Sequence, residues 1–140
     1  MALSNTLNTN EVKNSAGTEQ EFQHRAQNDR RHEWALITET PALPHRLLIS
    51  HQDIGAGLKA RRRSVVRIDK TVMSTVDTTL PVVVSSYLVL DAPVGALLAM
   101  TEPTHVLANV LSFCASLGAS TTILYDGTGN GAAALLAGTL

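Results

Sequence analysis

Residues 61–73 read RRRSVVRIDKTVM, thirteen residues without glycine or proline. β-Branched Val, Ile and Thr run through the segment, so it is expected to form one strand reaching roughly 44 Å at ~3.4 Å per residue. Alternate residues of a strand face opposite ways. Arg61, Arg63, Val65, Arg67 and Asp69 therefore share one face, and Arg62, Ser64, Val66, Ile68, Lys70 and Val72 share the other. The first face carries charge along its whole length, whereas the second is apolar in its middle. A strand with two such faces implies a sheet with one covered side and one polar, partly basic side.

The neighbouring segments extend that pattern. His45 to Asp53 (HRLLISHQD) reads as the preceding strand, with Arg46, Leu48, Ser50 and Gln52 facing opposite to His45, Leu47, Ile49 and His51. The turn Ile54-Gly55-Ala56-Gly57 separates the two. A polar loop, Ser74 to Thr79, leads into a Val-rich strand from Leu80 to Leu90 (LPVVVSSYLVL). Upstream, Arg31 to Glu39 reads as a strand that Thr40-Pro41-Ala42-Leu43-Pro44 breaks, because proline fixes φ and donates no ladder hydrogen bond. A turn at 27–30 precedes it. Glu11 to His24 reads as two short strands about Ser15-Ala16-Gly17, where glycine can take positive φ. Residues 1–10 read as a polar arm.

Beyond the sheet lies the clearest helix of the sequence. Thr101 is placed as its N-cap, with Glu102 and Pro103 in the first turn and Gly118 at the stop. Val106, Leu107, Val110, Leu111, Phe113, Cys114 and Leu117 form its apolar stripe. His105, Asn109, Ser112 and Ser116 line the other side, and no charge follows Glu102. Even the polar side thus suits contact better than open water. A Gly-rich turn at 126–131 precedes a second short helix over AAALLAG.

At 140 residues, 44% apolar and 16% charged, the chain is expected to fold as one domain rather than stay disordered. Its single cysteine excludes an internal disulfide and a cysteine zinc cluster. The start MALSNTLNTNEV lacks the basic and apolar regions of a signal peptide. The most apolar stretch, 80–100, contains Asp91 and Pro93 and falls short of a membrane span. A soluble protein of a reducing cytosol is expected, with no membrane partner.

The net charge of −1 conceals an asymmetry: all 11 Lys and Arg lie at or before Lys70, and 71–140 hold four acids alone. Lys59, Arg61, Arg62, Arg63, Arg67 and Lys70 crowd into twelve residues, opposed only by Asp69. Two readings stand, a polyanion-binding strip and a solvated loop edge.

Enzymatic motifs are weak. GTGNGAAALLAG (127–138) has glycines before an apolar helix, but the sequence ends before the strand and acidic residue a dinucleotide site needs. The five histidines form no HxxxH or HExxH pair, so no metal is expected. No GxSxG elbow is present, and Cys114 reads as a small core residue. Neither catalysis nor a cofactor is expected.

The ordered set RRRSVVRIDK, a loop, LPVVVSSYLVLDAP and TEPTHVLANVLSFCASL resembles the coat proteins of single-stranded RNA bacteriophages, the levivirus type. The Leu-Pro start of the strand, the Ser86-Tyr87-Leu88 triplet and the helix after a short apolar linker carry the likeness, which covers about residues 45–118. It implies an α+β fold: an N-terminal β-hairpin, a five-stranded antiparallel sheet and two C-terminal helices that interlock with a dimer partner. Sheets join edge to edge and helices cross onto the other subunit. Dimers then build a T=3 icosahedral shell around the RNA genome, in a virion assembled in the bacterial host cytoplasm. The helix residues Val106, Leu107, Val110, Leu111, Phe113 and Leu117 fall in the dimer interface.

The likeness also implies binding of an RNA hairpin, with repression of translation, through inward-facing strand residues. Carried over strand by strand these are Arg46, Leu48, Ser50 and Gln52, then Arg63, Val65 and Arg67, then Tyr87, Val89 and Asp91. Arg63 and Arg67 would pair with phosphates. Tyr87 either stacks on an unpaired base or fills space on the sheet. Leu48, Val65 and Val89 replace polar side chains of better-known members, and an aliphatic group cannot discriminate a base edge. The alternative is a small cytosolic dimer that regulates translation without forming a shell.

Overall fold

A computed structural model describes residues 6–7, 11–119 and 122–139 of the chain. Six strands form one antiparallel sheet in sequence order: β1 (Thr6–Leu7), β2 (Phe22–Asn28), β3 (Arg31–Leu36), β4 (His45–Ile54), β5 (Arg61–Met73) and β6 (Pro81–Ala92). Two helices follow, α1 (Thr101–Ala115) and α2 (Asn130–Ala137). The packing groups into two compact units: residues 1–12 with 19–97, and residues 13–18 with 98–140.

The long strand spans the segment expected, and its register confirms the parity reading. Leu47, Ile49, Ile68 and Trp34 share a face, with Leu47 opposite Ile68 and Trp34 opposite Leu47. On that face Leu7, Phe22, Trp34 and Leu47 form the buried core, supported by Val12, Leu36, Ile49 and Ile68. Phe22 and Trp34 are fully buried. His24 packs edge-on against Trp34 with ring centres 5.8 Å apart, and His32 lies tilted over it at 5.6 Å. These histidines act as packing residues.

The structure departs from the sequence reading at several boundaries, the first being β2, which begins at Phe22 and runs into the turn expected at 27–30 as far as Asn28. Thr6 and Leu7, expected within a polar arm, pair with Gln23 and Phe22 and raise the sheet to six strands. One apolar side chain suffices for this, because Leu7 stands opposite the buried Phe22. The rest of that arm, 1–5 and 8–10, lies outside the described residues. Strand β3 stops at Leu36 rather than Glu39, since Glu39 turns back to accept the His45 N–H (3.0 Å) and to bind Arg46. Strand β6 runs on to Ala92.

Helix α1 begins with Thr101 as its first helical residue, so Met100 is the cap, and the Thr104 hydroxyl donates to the Met100 carbonyl. It ends at Ala115 because Ser116 becomes extended and bridges to Ile123. Leu117 therefore lies past the helix whose stripe it was expected to join. The hairpin turn forms as read: Gly17 has φ +78°, and the Asn14 side chain accepts the N–H groups of Ala16 and Thr18.

Gly129 and Gly131, on either side of the first residue of α2, serve packing. A Cβ on Gly129 would lie 2.2 Å from the Cys114 carbonyl oxygen, and one on Gly131 2.5 Å from that of Phe113. Both positions let α2 approach the end of α1 backbone to backbone.

Candidate nucleic-acid interface

The sheet register gathers the strand residues chosen from sequence onto one face. Four cross-strand rows run from β4 through β5 to β6: Gln52–Arg63–Asp91, Ser50–Val65–Val89, Leu48–Arg67–Tyr87 and Arg46–Asp69–Ser85. This is the face opposite the core. Strand β3 continues it, placing Arg31 beside Ser50 and Glu33 beside Leu48.

Ion pairs divide these arginines into kinds. Arg46 is pinned: its Nε donates to Glu39 at 2.8 Å and its Nη1 to Glu33 at 2.9 Å, and its side chain is only 25% exposed. Arg67 donates to Asp69 at 2.9 Å and stands 5.7 Å from the centre of the Tyr87 ring, within cation–π range. Asp69 also accepts from the Ser85 hydroxyl. Burial pushes the Asp69 carboxyl up, but the Ser85 and Arg67 hydrogen bonds outweigh it and hold the group below the usual carboxylate range. Arg63 is loosely held, 3.5 Å from Asp91, which Arg61 binds at 2.8 Å. Tyr87 is 64% exposed, so its ring lies open between Arg67 and the sheet edge.

Sequence reasoning missed two arginines of this face, Arg25 and Arg31. Arg31 shares parity with Glu33, a signal available in the sequence once β3 is registered against β4. Arg25 follows the alternation of Phe22 and His24 onto this face and reaches Glu33 at 2.9 Å; it was passed over because the sequence reading ended its strand at His24, whereas β2 runs on to Asn28.

Backbone geometry exposes a second feature. Thr71 N–H donates to Pro44, towards β4, while Ser74 N–H donates to Leu80 and Gly95 N–H to Ala60. In an antiparallel ladder these directions alternate. The even-numbered residues of β5 and β6 thus bond each other, and Val83, Ser85, Tyr87, Val89 and Asp91 point their N–H groups away from the sheet. Pro81 falls in the same outward set, where a missing N–H costs nothing. Strand β6 is the last in the sheet, so this is a long, β-branched, open edge.

Helix α1 is a third exposed surface. Val106 (54%), Val110, Leu111 and Phe113 are all exposed, and Leu107 is half-buried. An open apolar groove of about 470 Å³ runs along it, lined by Leu111, Cys114, Ile123, Tyr125 and Ala132 among others. Among the described residues no helix is long and apolar enough to cross a membrane, and no group of three metal-ligating side chains occurs.

A six-stranded meander followed by two helices, with one polar and one core-forming face, is the fold of the bacteriophage coat proteins that the sequence resembles. Three solved structures fix the likeness. The coat protein of bacteriophage EMS014 is 13% identical with a TM-score of 0.68, over 100% of this chain and 99% of that one. The capsid protein of bacteriophage GA is 17% identical with a TM-score of 0.56, over 96% of this chain and 95% of its own. The virus-like particle of bacteriophage ESE058 matches 89% of this chain and 100% of its own, at 14% identity and a TM-score of 0.57. No protein-family model and no curated protein matches the sequence.

Proposed function

We propose that this chain is a phage coat protein, a non-enzymatic subunit that dimerises and assembles into an icosahedral shell around single-stranded RNA. The end-to-end match with a coat protein carries the reading, since both helices and the whole sheet find counterparts. The open surfaces support it. A dimer that joins two β6 edges would satisfy the outward N–H groups of Val83 to Asp91. A partner covering α1 would bury Val106, Val110, Leu111 and Phe113, as expected of an obligate interface that resembles a divided core.

The polar face is then the inner, RNA-facing surface. Arg63 and Arg67 supply charge to phosphates, and Tyr87 offers a ring for an unpaired base. Packaging needs no more than this. Reading an operator hairpin, with repression of translation, further requires groups that reach base edges, and Ser50 and Gln52 are among the side chains of the face that can supply them. Val65, Val89 and Leu48 cannot.

Size-exclusion chromatography with absorbance at 260 and 280 nm, followed by nuclease, tests the reading. A megadalton particle holding nuclease-resistant RNA is the expected result. A peak near the dimer mass with RNA absent or readily digested would replace it with the free regulatory dimer.

A further inference from the structure

Strands β2, β3 and β4 assemble an unequal charge cluster at the far side of the polar face from β6. Glu33 is the hub. Arg25 Nη1 and Arg46 Nη1 both reach its Oε1 at 2.9 Å, and Arg31 Nη2 approaches its Oε2 at 3.8 Å. Three guanidinium groups thus share one carboxylate, and the second acid nearby, Glu39, is taken up by Arg46 and the His45 N–H. Arg46 is fixed by that double tether. Arg25 and Arg31 are not: their side chains are 54% and 55% exposed, and each has a single ion-pair contact. Exposed pairs of this kind are weak and readily give way to a better anion.

We infer that Arg25 and Arg31 form a phosphate-binding site for single-stranded RNA on β2 and β3, separate from the Arg61–Arg63 focus around Asp91. The inference rests on the reading of this face as the RNA side. The nearest strands of the two sites, β3 and β5, are two strand spacings apart, a lateral distance of roughly 10 Å at ~4.8 Å per spacing. A strand of RNA crossing the face would meet positive charge at both ends, with Tyr87 and Val89 beyond the Arg63 end. The pinned Arg46 holds Glu33 and so positions the two exposed guanidiniums. Arginine suits the task because its planar fork meets phosphate oxygens in pairs.

The test measures binding of fluorescent oligouridylate by purified, nucleic-acid-free full-length protein across a salt series. Each phosphate contact contributes about 0.7 to the slope of log K against log salt for single strands. The Arg25→Gln/Arg31→Gln double variant is expected to lose about one such increment. Arg25→Lys/Arg31→Lys is expected to retain it, and Arg30→Gln/Lys59→Gln removes equal charge elsewhere and leaves the slope unchanged. Circular dichroism melts check that each variant is folded. An unchanged slope in the Gln double variant, or an equal drop in the Arg30/Lys59 variant, overturns the site. A wild-type protein with no salt-dependent binding overturns the RNA reading itself, and the site with it.

Discussion

The polar face of the sheet and helix α1 are both open to solvent in a single chain, but they are built on opposite plans. On the sheet face every acid has an arginine: Glu33, Asp69 and Asp91 each accept an ion pair. Such a face is stable in water and still carries excess positive charge for a polyanion. Helix α1 holds one charged residue, Glu102, in its first turn, and exposes Val106, Val110, Leu111 and Phe113. Beyond Glu102 its exposed polar groups, among them His105, Asn109 and Ser112, are uncharged, and large apolar side chains stand in water beside them. Exposure alone therefore does not distinguish a ligand surface from a subunit interface; the chemistry of the exposed atoms does.

The largest expected effect breaks the helix side of this comparison. Val110→Asp is exposed within one chain, so the subunit keeps its folded circular dichroism spectrum. Once a partner covers the helix, the carboxylate is buried without a counter-charge, at a cost of about 3–5 kcal/mol. No particle is expected on size-exclusion chromatography or electron microscopy. Normal particles would show that α1 stays in water and that its apolar surface has another purpose.

Gly131→Ala acts inside the helical unit. Its new methyl group would lie 2.5 Å from the Phe113 carbonyl oxygen and 2.6 Å from the Phe113 ring, forcing α2 away from α1. A loss of about 1–3 kcal/mol is expected from overpacking of this kind, measured by thermal unfolding. Unchanged stability would mean that the two helices part at little cost.

The same segment shows what the sequence could and could not convey. GTGNGAAALLAG displays its glycines openly, but the reason for Gly129 and Gly131 is a contact with the Cys114 and Phe113 backbone of a preceding element. Strand parity, by contrast, needs no distant information. Alternation within 61–73 alone predicts which arginines share a face, and the register with β4 and β6 agrees. The boundaries slipped where a tertiary contact intervenes: at Leu36, where Glu39 folds back onto Arg46, and at Ala115, where Ser116 pairs with Ile123. Leu7 entered the sheet for the same reason. Arg25 was passed over because its strand was read as ending at His24, although alternation from Phe22 and His24 places it on the polar face.

Tyr87 sharpens the sheet side of the comparison. If its ring stacks on a base, Tyr87→Ala weakens RNA binding by roughly 1–3 kcal/mol and Tyr87→Phe leaves it nearly intact, because stacking needs the ring and not the hydroxyl. Equal affinities for wild type and the alanine variant in a titration with single-stranded RNA would return Tyr87 to a space-filling role beside Arg67.

The smallest effect belongs to the opposite face of the same sheet. His45 packs its ring edge-on against Phe22, with centres 5.1 Å apart, and its Nδ1 is buried without a hydrogen-bond partner in the chain. Burial and the facing Lys70 lower its pKa from the ordinary 6.5, and the nearby Glu39 only partly offsets them. A histidine lowered on folding takes up its proton more readily in the unfolded chain. Its contribution to stability is thus present above about pH 6.5 and is lost as pH falls through the folded value. His45→Gln cannot take up that proton, so its melting temperature is expected to fall less than that of the wild type between neutral pH and about pH 5. Parallel pH profiles would mean that the ring swings out to water when charged. The core face would then tolerate a cation at its margin much as the polar face does.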